Sequence, residues 1–368
     1  MEKFKAIISG GGTGGHIFPA IAIANTLKKI NPDTEILFVG AEGKMEMEKV
    51  PAAGYKIVGL PVRGFQRKLT WSNISFFFRL FSSLKKAKNV IKEFQPNVVV
   101  GVGGFASGPT LRIATKMGIP TLIQEQNSYP GVTNKILANR VDKICVAYQD
   151  MENYFPANKI IITGNPVRQD ILNINGKVRD DGFMFFELKG NQKTVLSLGG
   201  SLGALTINES IYNHIDVFIE NNVQLIWQTG KAFYHKALEL VQNKNAQNIK
   251  VYDFISRMDF AYAIADVVIS RAGAITISEL TLTAKPAILI PSPNVAEDHQ
   301  TKNAMALVKN DAAMLITDAE SRTKLVEETI KLLNDEFRLN VYKSNISRMA
   351  LKNADEIIAK EIISLSKK

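Results

Sequence analysis

The sequence predicts an α/β protein with two doubly wound domains in tandem, each built on a parallel sheet covered by helices. Short apolar runs rich in β-branched residues alternate with helical segments along the 368 residues, as in parallel sheets that are buried on both faces. A chain of this length is longer than a single hydrophobic core usually serves, which favours two domains. Residues 4–15 and 193–204 also begin alike, with an apolar strand, a glycine turn and a helix.

The apolar runs form two series of predicted strands. The first series is 5–9, 36–39, 56–60, 98–102, 121–124, 143–147 and 160–163, and the second is 194–198, 224–228, 249–252, 267–270, 287–290 and 313–316. Glycine and proline interrupt the pattern at 164–166, which predicts domains at 1–164 and 165–346. We interpret 180–192 as a polar lead-in to the second sheet. After residue 316 the chain is predicted to be helical to its end, and its last part, about 347–368, could pack back on the first domain.

The formal charge of +10 calls for an anionic partner. Nucleic acid, acidic lipid headgroups and phosphorylated substrates are the candidates, and the lack of any nucleic-acid-binding module disfavours the first. The single cysteine, Cys145, lies in an apolar run, so we expect no disulfides and a reducing, cytoplasmic compartment. Four histidines and one cysteine show no metal-ligand spacing, so no metal site is predicted.

The N-terminus is predicted to enter the first strand directly, without a signal peptide. No apolar run approaches the roughly 20 residues that cross a bilayer. We therefore expect a soluble or peripheral protein.

Gly10, Gly12 and Gly15 fit the pattern G-x-G-x-x-G directly after a strand. Such glycines bring backbone amides close to a diphosphate at a helix N-terminus, although the same pattern also occurs in a strand–helix turn without ligand. A dinucleotide site would need an acidic residue near 39–40, where there is none, and Glu42 lies slightly beyond. NAD binding is therefore disfavoured.

Two further glycine turns, 101–108 and 199–203, also follow predicted strands. Ligands of doubly wound folds bind outside the carboxyl ends of the strands. Three such turns in tandem sheets predict two phosphorylated ligands that face each other across a cleft. This is the arrangement of a transferase with a nucleotide donor and a diphosphate acceptor.

Several motifs together resemble one family over essentially the whole chain. They are GGTGGHIFP at 11–19, QEQN at 124–127 with PGVTNK at 130–135, GGSLGA at 199–204 and SRAGAITISE at 270–279, with GNPVR at 164–168 and HQTKNA at 299–304. In this order they resemble the MurG family of peptidoglycan N-acetylglucosaminyltransferases, which belongs to the GT-B superfamily. The position of Gln124 is often histidine in that family, so this chain lacks one candidate base.

The resemblance implies a GT-B fold and transfer of N-acetylglucosamine from UDP-N-acetylglucosamine to the muramyl-pentapeptide pyrophosphoryl-undecaprenol lipid. The anomeric centre would be inverted, giving a β-1,4-linked lipid-linked disaccharide for peptidoglycan synthesis, and thereby for cell shape and division. UDP-N-acetylglucosamine is then a substrate, and no cofactor is expected.

In the first domain, Thr13, Gly14 and Gly15 would offer a hydroxyl and backbone amides to phosphate, either of the donor or of the acceptor. His16 could be the general base, a hydrogen-bond donor to phosphate or only a helix cap. Glu125 could be a base or could orient the sugar. Asn127, just beyond it, would bind sugar hydroxyls, unless both residues only form an Asx turn.

In the second domain, Ser201 and nearby amides would hold the UDP diphosphate. Arg168 could reach the same charge, although a lone arginine more often forms a surface ion pair. Ile255 reads as a core residue by composition, whereas the resemblance implies that its backbone contacts the uracil.

The helix predicted after 270 supplies the remaining donor contacts. The amides of Ala274 and Ile275 would meet phosphate, and the resemblance implies that Glu279 accepts from the ribose hydroxyls. A glutamate in a first helical turn could instead only complement the helix dipole. Gln300 would contact the sugar hydroxyls, or would simply be a polar residue at a helix start.

Residues 75–88 combine phenylalanines with lysines, and Arg63, Arg67, Lys68 and Trp71 lie upstream. This composition is typical of a helix lying in anionic headgroups, and a core helix with a solvated basic face is the alternative. With a lipid-linked acceptor we expect peripheral attachment to the cytoplasmic face of the inner membrane.

Two other function classes remain open from the residues. One is another GT-B enzyme, such as a diacylglycerol glycosyltransferase or a UDP-sugar epimerase. The other is a non-catalytic nucleotide-sugar-binding or membrane scaffold, which a turnover assay would distinguish from an enzyme.

Overall fold

A computed structural model describes residues 3–62, 72–200, 203–295 and 298–367, without the side chains of 72–77. The chain forms two compact units. The first comprises Met1–Val167 together with Leu351–Lys368, and the second comprises Arg168–Ala350. Each unit has a parallel sheet of its own, as the apolar runs predict.

The first unit alternates strands and helices. Its elements are β1 (Lys5–Ser9), α1 (Gly14–Ile30), β2 (Glu35–Ala41), α2 (Glu46–Ala52), β3 (Lys56–Leu60), α3 (Ser72–Phe94), β4 (Val98–Gly101), α4 (Ser107–Lys116), β5 (Thr121–Glu125), α5 (Val132–Leu137), β6 (Lys143–Val146) and β7 (Ile160–Ile162).

The second unit repeats the alternation. Its elements are α6 (Gly176–Phe186), β8 (Thr194–Leu198), α7 (Leu205–Asn213), α8 (Ile215–Glu220), β9 (Gln224–Gln228), α9 (Lys231–Asn243), β10 (Ile249–Tyr252), α10 (Met258–Ile264), β11 (Val267–Ser270), α11 (Ala274–Leu282), β12 (Ala287–Leu289), α12 (His299–Val308), β13 (Met314–Leu315), α13 (Asp318–Asn334) and α14 (Glu336–Arg348). The last helix, α15 (Ala354–Leu365), belongs to the first unit.

The strand order places the glycine turns at the centre of each sheet. The first sheet has the order β3-β2-β1-β4-β5-β6-β7, and the second has β10-β9-β8-β11-β12-β13. The order reverses between β1 and β4 and between β8 and β11, which is where doubly wound folds bind ligands at the carboxyl ends of their strands. The turns at 10–15 and 101–108 follow β1 and β4, and Gly199 and Gly200 follow β8.

Successive side chains of β1 point to opposite faces of the sheet, so they join two different hydrophobic cores of the first unit. Ile7 packs with helices on one face of the sheet, whereas Ala6 and Ile8 pack with α1 and α15 on the other. Helix α15 is fixed there by Ile358 and Ile362, both fully buried, which join the same core.

The lead-in to the second sheet contains a helix. Part of the segment predicted as a polar lead-in, 180–192, is helix α6. The side chain of Asn175 caps this helix by accepting from the Val178 amide at 3.1 Å. Phe186 is buried, and Gly182 lies so close to Ile264 that an added Cβ would sit 3.0 Å from it. Helix α6 therefore packs against α10 through its apolar end.

Among the helices within the described residues, none is both long and apolar enough to cross a bilayer.

Candidate active site

The first glycine turn links β1 to α1 and presents backbone donors at the centre of its sheet. Gly11 and Gly12 have φ angles of +141° and +90°, a region that favours glycine. Gly14 and Gly15 begin α1, so their amides have no acceptor within the helix. Thr13, directly before them, is exposed. The three residues predicted to bind phosphate therefore lie together on one accessible turn.

Glu46, at the start of α2, occupies the inner side of the same turn, which the sequence did not suggest. Its carboxylate accepts from the Gly12 amide at 2.8 Å and from the Ala41 amide at 2.9 Å, and it is 1% exposed. A Cβ on Gly11 would lie 2.2 Å from this carboxylate, and one on Gly40 would lie 2.6 Å from its stem. The innermost amide of the turn is therefore bound by the protein itself.

The second glycine turn, 101–108, packs against the first. The Gly11 amide donates to the Gly103 carbonyl at 3.3 Å, and a Cβ on Gly104 would lie 2.3 Å from the Gly11 carbonyl oxygen. Close approach of the Gly11 backbone accounts for glycine at 104, whereas the His16 ring lies close to where a Cβ on Gly103 would be. In the first unit, this turn supports the neighbouring turn.

His16 is held in one ring orientation at the start of α1. Its Nδ1 lies 3.0 Å from the Gly11 carbonyl oxygen and 3.4 Å from the Thr13 hydroxyl. Because a carbonyl only accepts, Nδ1 carries the proton and the lone pair of the neutral imidazole lies on Nε2. The ring packs against Gly103, where a Cβ would lie 2.9 Å from Nε2. A neutral His16 thus has the tautomer that a general base requires.

Glu125 is surrounded by donors at the end of β5. Its two oxygens accept from the Asn127 amide at 3.0 Å and side chain at 3.2 Å, the Gly131 amide at 3.1 Å and the Asn134 side chain at 2.8 Å. The residue is only 2% exposed. This geometry makes Glu125 an organiser of the loop that carries Asn127. A carboxylate so committed is a poor candidate for a mobile base.

Gln124 belongs to a buried amide network. Its side-chain nitrogen donates to Asn165 Oδ1 at 2.9 Å, and its oxygen accepts from Gln126. The Asn165 side chain in turn donates to the Gln126 carbonyl at 3.0 Å. All three residues are at most 2% exposed. Gln124 therefore has a packing role here and does not face solvent.

Arg168, Glu279 and Tyr262 form one hydrogen-bonded chain in the second unit. Arg168 Nε donates to Glu279 Oε1 at 3.1 Å, and the Tyr262 hydroxyl donates to Oε2 at 3.0 Å. Burial raises the pKa of Glu279, while the nearby guanidinium and the Tyr262 hydroxyl act to lower it. Tyr262 is fully buried and was not predicted from the sequence.

Helix α11 begins with donors and carries Glu279 further along. Ala274 and Ile275 are its first two residues, and its cap residue, Gly273, provides no side-chain hydrogen bond. Their amides therefore have no acceptor within the helix. Glu279 is the sixth residue, beyond the first turn, so the alternative that it only complements the helix dipole loses its basis.

Arg271 braces the turn before α11. Its guanidinium donates to the carbonyls of Ile290 and Pro291 at 3.1 and 3.2 Å and pairs with Asp318. This residue lies inside the motif at 270–279, yet only the three-dimensional contacts reveal its role.

The glycine turn after β8 approaches the backbone of the next strand. Gly203 has a φ of +82°, and a Cβ there would lie 2.2 Å from the Thr229 carbonyl oxygen. The Gln228 side chain donates to the Gly200 carbonyl at 3.2 Å. Ser201, predicted to hold the diphosphate, lies outside the described residues.

Two further predicted donor contacts follow strands of the second sheet, Ile255 in a loop and Gln300 in the first turn of α12. The side chain of Ile255 is 3% exposed, in the loop between β10 and α10, so only its backbone could meet a ligand. Gln300, near the start of α12, accepts the Ser292 amide at its side-chain oxygen at 2.9 Å. The loop that carries Ser292 is thereby tied to the predicted sugar-binding residue.

Across the part of the chain that the structure describes, no three histidine, cysteine or acidic side chains lie close enough together to hold a metal ion.

Two family domains match this chain. Residues 6–146 match the glycosyltransferase family 28 N-terminal domain, and residues 194–360 match the family's C-terminal domain. The enzyme named UDP-N-acetylglucosamine–N-acetylmuramyl-(pentapeptide) pyrophosphoryl-undecaprenol N-acetylglucosamine transferase of Parabacteroides distasonis is 55% identical over 99% of both chains. The enzyme of the same name from Flavobacterium psychrophilum is 52% identical over 99% of this chain and 98% of its own.

Solved structures agree with the fold. The crystal structure of Acinetobacter baumannii MurG is similar with a TM-score of 0.81 and 27% identity, over 98% of this chain and 99% of that one. A UDP-GlcNAc 2-epimerase from Neisseria meningitidis, solved bound to UDP-GlcNAc, has a TM-score of 0.67 at 15% identity over 99% of this chain and all of that one. At that identity the second likeness concerns the fold alone.

Proposed function

Because this chain belongs to glycosyltransferase family 28, we infer that it catalyses the reaction for which its relatives are named. It transfers N-acetylglucosamine from UDP-N-acetylglucosamine to the N-acetylmuramyl-(pentapeptide) pyrophosphoryl-undecaprenol lipid. The observation that carries this conclusion is 55% identity over 99% of both chains. UDP-N-acetylglucosamine is a substrate of this enzyme rather than a cofactor. The relatives' names favour this reaction over the epimerase and the diacylglycerol glycosyltransferase.

The second unit, which we take as the domain beginning near 165, binds the donor in this proposal. Glu279 accepts from the two ribose hydroxyls. Arg168 and Tyr262 hold its buried carboxylate with one hydrogen bond to each oxygen, and each oxygen keeps a further lone pair for a hydroxyl. The amides of Ala274 and Ile275 hold the diphosphate at the start of α11. Since Arg168 is an ion-pair partner of Glu279, it orients the carboxylate and brings positive charge to the leaving diphosphate.

Three further donor contacts complete the nucleotide site in this proposal. The backbone of Ile255 contacts the uracil, Gln300 contacts the sugar hydroxyls, and Ser201 contacts the diphosphate. The bond from the Ser292 amide leaves the Gln300 side-chain nitrogen to donate to an oxygen of the sugar.

The first unit receives the acceptor diphosphate on the exposed turn at 13–15. Two observations support this assignment. The amides of Gly14 and Gly15 have no acceptor within α1, and the Thr13 hydroxyl is exposed beside them. Glu46 occupies the inner amide of the turn, which leaves no place for a nucleotide diphosphate bound deep in the turn. Asn127, whose position is fixed by Glu125, contacts sugar hydroxyls.

The catalytic step is a direct displacement at the anomeric carbon. His16 Nε2 removes the proton of the acceptor hydroxyl, whose oxygen attacks the anomeric carbon of N-acetylglucosamine. The bond from that carbon to the diphosphate oxygen breaks, UDP leaves with the electron pair, and the anomeric configuration inverts. The proton on His16 returns to solvent. Amide dipoles and Arg168 stabilise the charge that develops on the diphosphate.

Peripheral attachment to the anionic cytoplasmic face of the inner membrane is the final part of the proposal. Phe78 and Phe81 on α3 are 74% and 73% exposed, while Ser83, Ala87 and Ile91 form the buried side of this helix. The core-helix alternative therefore does not account for these two rings. Phe78 and Arg79 also line an open depression of about 430 Å³ with Pro61 and Ser82.

Exposed cations accompany these rings. Lys85, Lys86 and Lys88 are exposed on α3, and Lys86 forms an ion pair with Glu42 at 2.9 Å. Aromatic rings beside lysines favour anionic headgroups. Arg63, Arg67, Lys68 and Trp71 lie outside the described residues.

A direct transfer assay tests the function. Purified protein is incubated with labelled UDP-N-acetylglucosamine and a short-chain lipid-linked muramyl-pentapeptide. We expect one labelled lipid-linked disaccharide and one UDP per turnover, with the β-configured linkage visible by NMR. Release of UDP without a disaccharide, or conversion of the donor to its 2-epimer, would contradict the proposal.

A further inference from the structure

The peptide group between Gly11 and Gly12 is hydrogen-bonded at both ends. Its N–H donates to Glu46 Oε2 at 2.8 Å, and its carbonyl oxygen lies 3.0 Å from His16 Nδ1. A buried carboxylate and the proposed general base are therefore connected through a single amide.

An amide whose N–H is bound by an anion becomes a stronger acceptor at its oxygen, because hydrogen bonds in a chain polarise one another. We propose that Glu46 is a positioning residue that acts on His16 through the Gly11–Gly12 peptide. It keeps the imidazole proton on Nδ1 and increases the electron density at Nε2. This inference rests on the proposed role of His16 as the base.

The Glu46 carboxylate is held in a fixed orientation toward the Gly12 amide. Its second oxygen accepts from the Ala41 amide at 2.9 Å, at the end of β2, and the residue is 1% exposed. Water therefore screens its charge weakly. Because both oxygens are bound to backbone amides of the same unit, the carboxylate cannot turn away from Gly12.

The surrounding glycines keep the peptide and the ring in place. A Cβ at Gly11 would overlap the Glu46 carboxylate, and one at Gly104 would lie 2.3 Å from the Gly11 carbonyl oxygen. At Gly103 it would lie 2.9 Å from His16 Nε2. A side chain at any of these three glycines would overlap its neighbour. The hydrogen-bonded series from the Glu46 carboxylate to the His16 ring is therefore closely packed.

The test must distinguish this positioning role from a purely structural one, in which Glu46 only shapes the glycine turn. Glu46→Gln keeps the volume but places an NH₂ group opposite one of two amide donors, so one hydrogen bond is lost. Glu48→Gln is the matched control, because Glu48 lies on the same helix with a side chain that is 77% exposed.

The first measurement is a double-mutant cycle in the transfer assay of the full-length chain. Glu46→Gln should lower kcat roughly 10- to 100-fold, which lies within the coupling seen between residues of one hydrogen-bond network. The KM for UDP-N-acetylglucosamine should not change, and Glu48→Gln should behave as wild type. In a His16→Ala background, Glu46→Gln should cause no further loss, because its effect passes through the imidazole.

The second measurement does not depend on activity. With ¹⁵N-labelled histidine, the two-bond proton–nitrogen pattern of His16 should show a proton on Nδ1 in wild type and in Glu48→Gln. In Glu46→Gln the pattern should move toward the Nε2-protonated form. The assignment uses the His16→Ala spectrum, since the chain has only four histidines.

The outcomes separate the inference from the proposed function. Full activity of His16→Ala would overturn the role of His16 as the base, and with it this inference. A strong loss in His16→Ala, with Glu46→Gln active and its tautomer unchanged, would overturn the inference alone. Additive losses in the double variant would assign Glu46 a purely structural role and would also overturn it.

Discussion

Arg168 donates from Nε to Oε1 of Glu279 at 3.1 Å, across 111 residues of sequence. With the Tyr262 hydroxyl on the other oxygen, this contact holds a buried carboxylate at the carboxyl end of the second sheet. Burial of an ionised group is costly unless a ligand or partner compensates it. Arg168 and Tyr262 compensate part of this cost, and the proposed function gives Glu279 its role in donor binding.

The first prediction concerns the stability of Glu279→Gln. Burial raises the pKa of Glu279 in the folded chain, so its stabilising contribution is present at low pH and is lost as the pH rises through the folded pKa. Once the pH exceeds the folded pKa, the buried carboxylate is ionised and is a net cost that glutamine avoids. The melting temperature of Glu279→Gln without ligand should equal or exceed that of wild type at pH 7.

Calorimetric scans at pH 7 and at pH 4.5 check this prediction, and the advantage of glutamine should shrink at the lower pH. Glu48→Gln serves as the control for removing one carboxylate from the surface. A melting temperature of Glu279→Gln several degrees below wild type at pH 7 would mean that the contacts to Arg168 and Tyr262 outweigh the burial.

The second prediction concerns the membrane. Changing both Phe78 and Phe81 to serine should weaken binding to anionic phosphatidylglycerol vesicles at least about tenfold, since burying one phenylalanine is worth about 1.5–3 kcal/mol. Phe337→Ser is the matched control, because its ring is 79% exposed on α14 in the second unit. Vesicle sedimentation measures the binding, and activity on a short-chain acceptor in detergent should be retained.

Equal binding of wild type and the double variant would remove α3 from the membrane contact. A similar loss in Phe337→Ser would also speak against it, because any exposed phenylalanine would then have the same effect. Binding of wild type to neutral phosphatidylcholine vesicles with unchanged affinity would contradict the role of the lysines.

The third prediction concerns Lys285, which follows α11. Burial lowers the pKa of its ammonium to about 8, and the group donates to the Ala265 carbonyl at 2.8 Å. Between pH 8 and the ordinary lysine pKa the unfolded chain binds more protons, so this residue makes stability rise with pH in that window. The unfolding free energy of wild type relative to Lys285→Met should therefore increase by at most roughly 3 kcal/mol.

Urea unfolding of both proteins between pH 7 and pH 10.5 measures this difference. Lys302→Met, a change of another lysine of the second unit, controls for the loss of one positive charge. A wild-type advantage that stays constant over the whole pH range would show that Lys285 titrates normally.

The fourth prediction concerns Cys145, on β6. The residue is fully buried, and burial raises the pKa of its thiol to about 12. The reactive thiolate is therefore scarce and inaccessible in the folded chain. We expect no reaction with a thiol reagent over an hour at pH 8, and one thiol per chain after addition of guanidinium. Rapid labelling of the native protein would contradict the packing of β6.

The strands could be predicted from sequence because continuous apolar runs reflect a local requirement, burial on both sheet faces. Val195 and Val268, for example, are both fully buried in paired strands. Helix α6 was missed because its helical character depends on packing against α10. The apolar run at 183–186 was the local sign of that contact, since Phe185 packs on Phe260 of α10, but the polar residues around it dominated the interpretation.

The glycine turns were predicted, but their roles required the structure. Glycine at 103 and 104 reads as a second phosphate loop, whereas close packing against Gly11 and His16 accounts for it. Glu46 is 34 residues from Gly12 and has no motif of its own. Such side-chain partners follow from the fold, so no pattern within a single segment indicates them.

Calorimetric titration of UDP-N-acetylglucosamine into wild type, Glu279→Gln and Glu48→Gln directly tests whether the second unit binds the donor. We predict that Glu279→Gln loses at least tenfold in affinity, because a carboxylate accepts from two ribose hydroxyls better than an amide, while Glu48→Gln binds as wild type. Unchanged affinity of a folded Glu279→Gln would contradict the assignment of the donor site to the second unit.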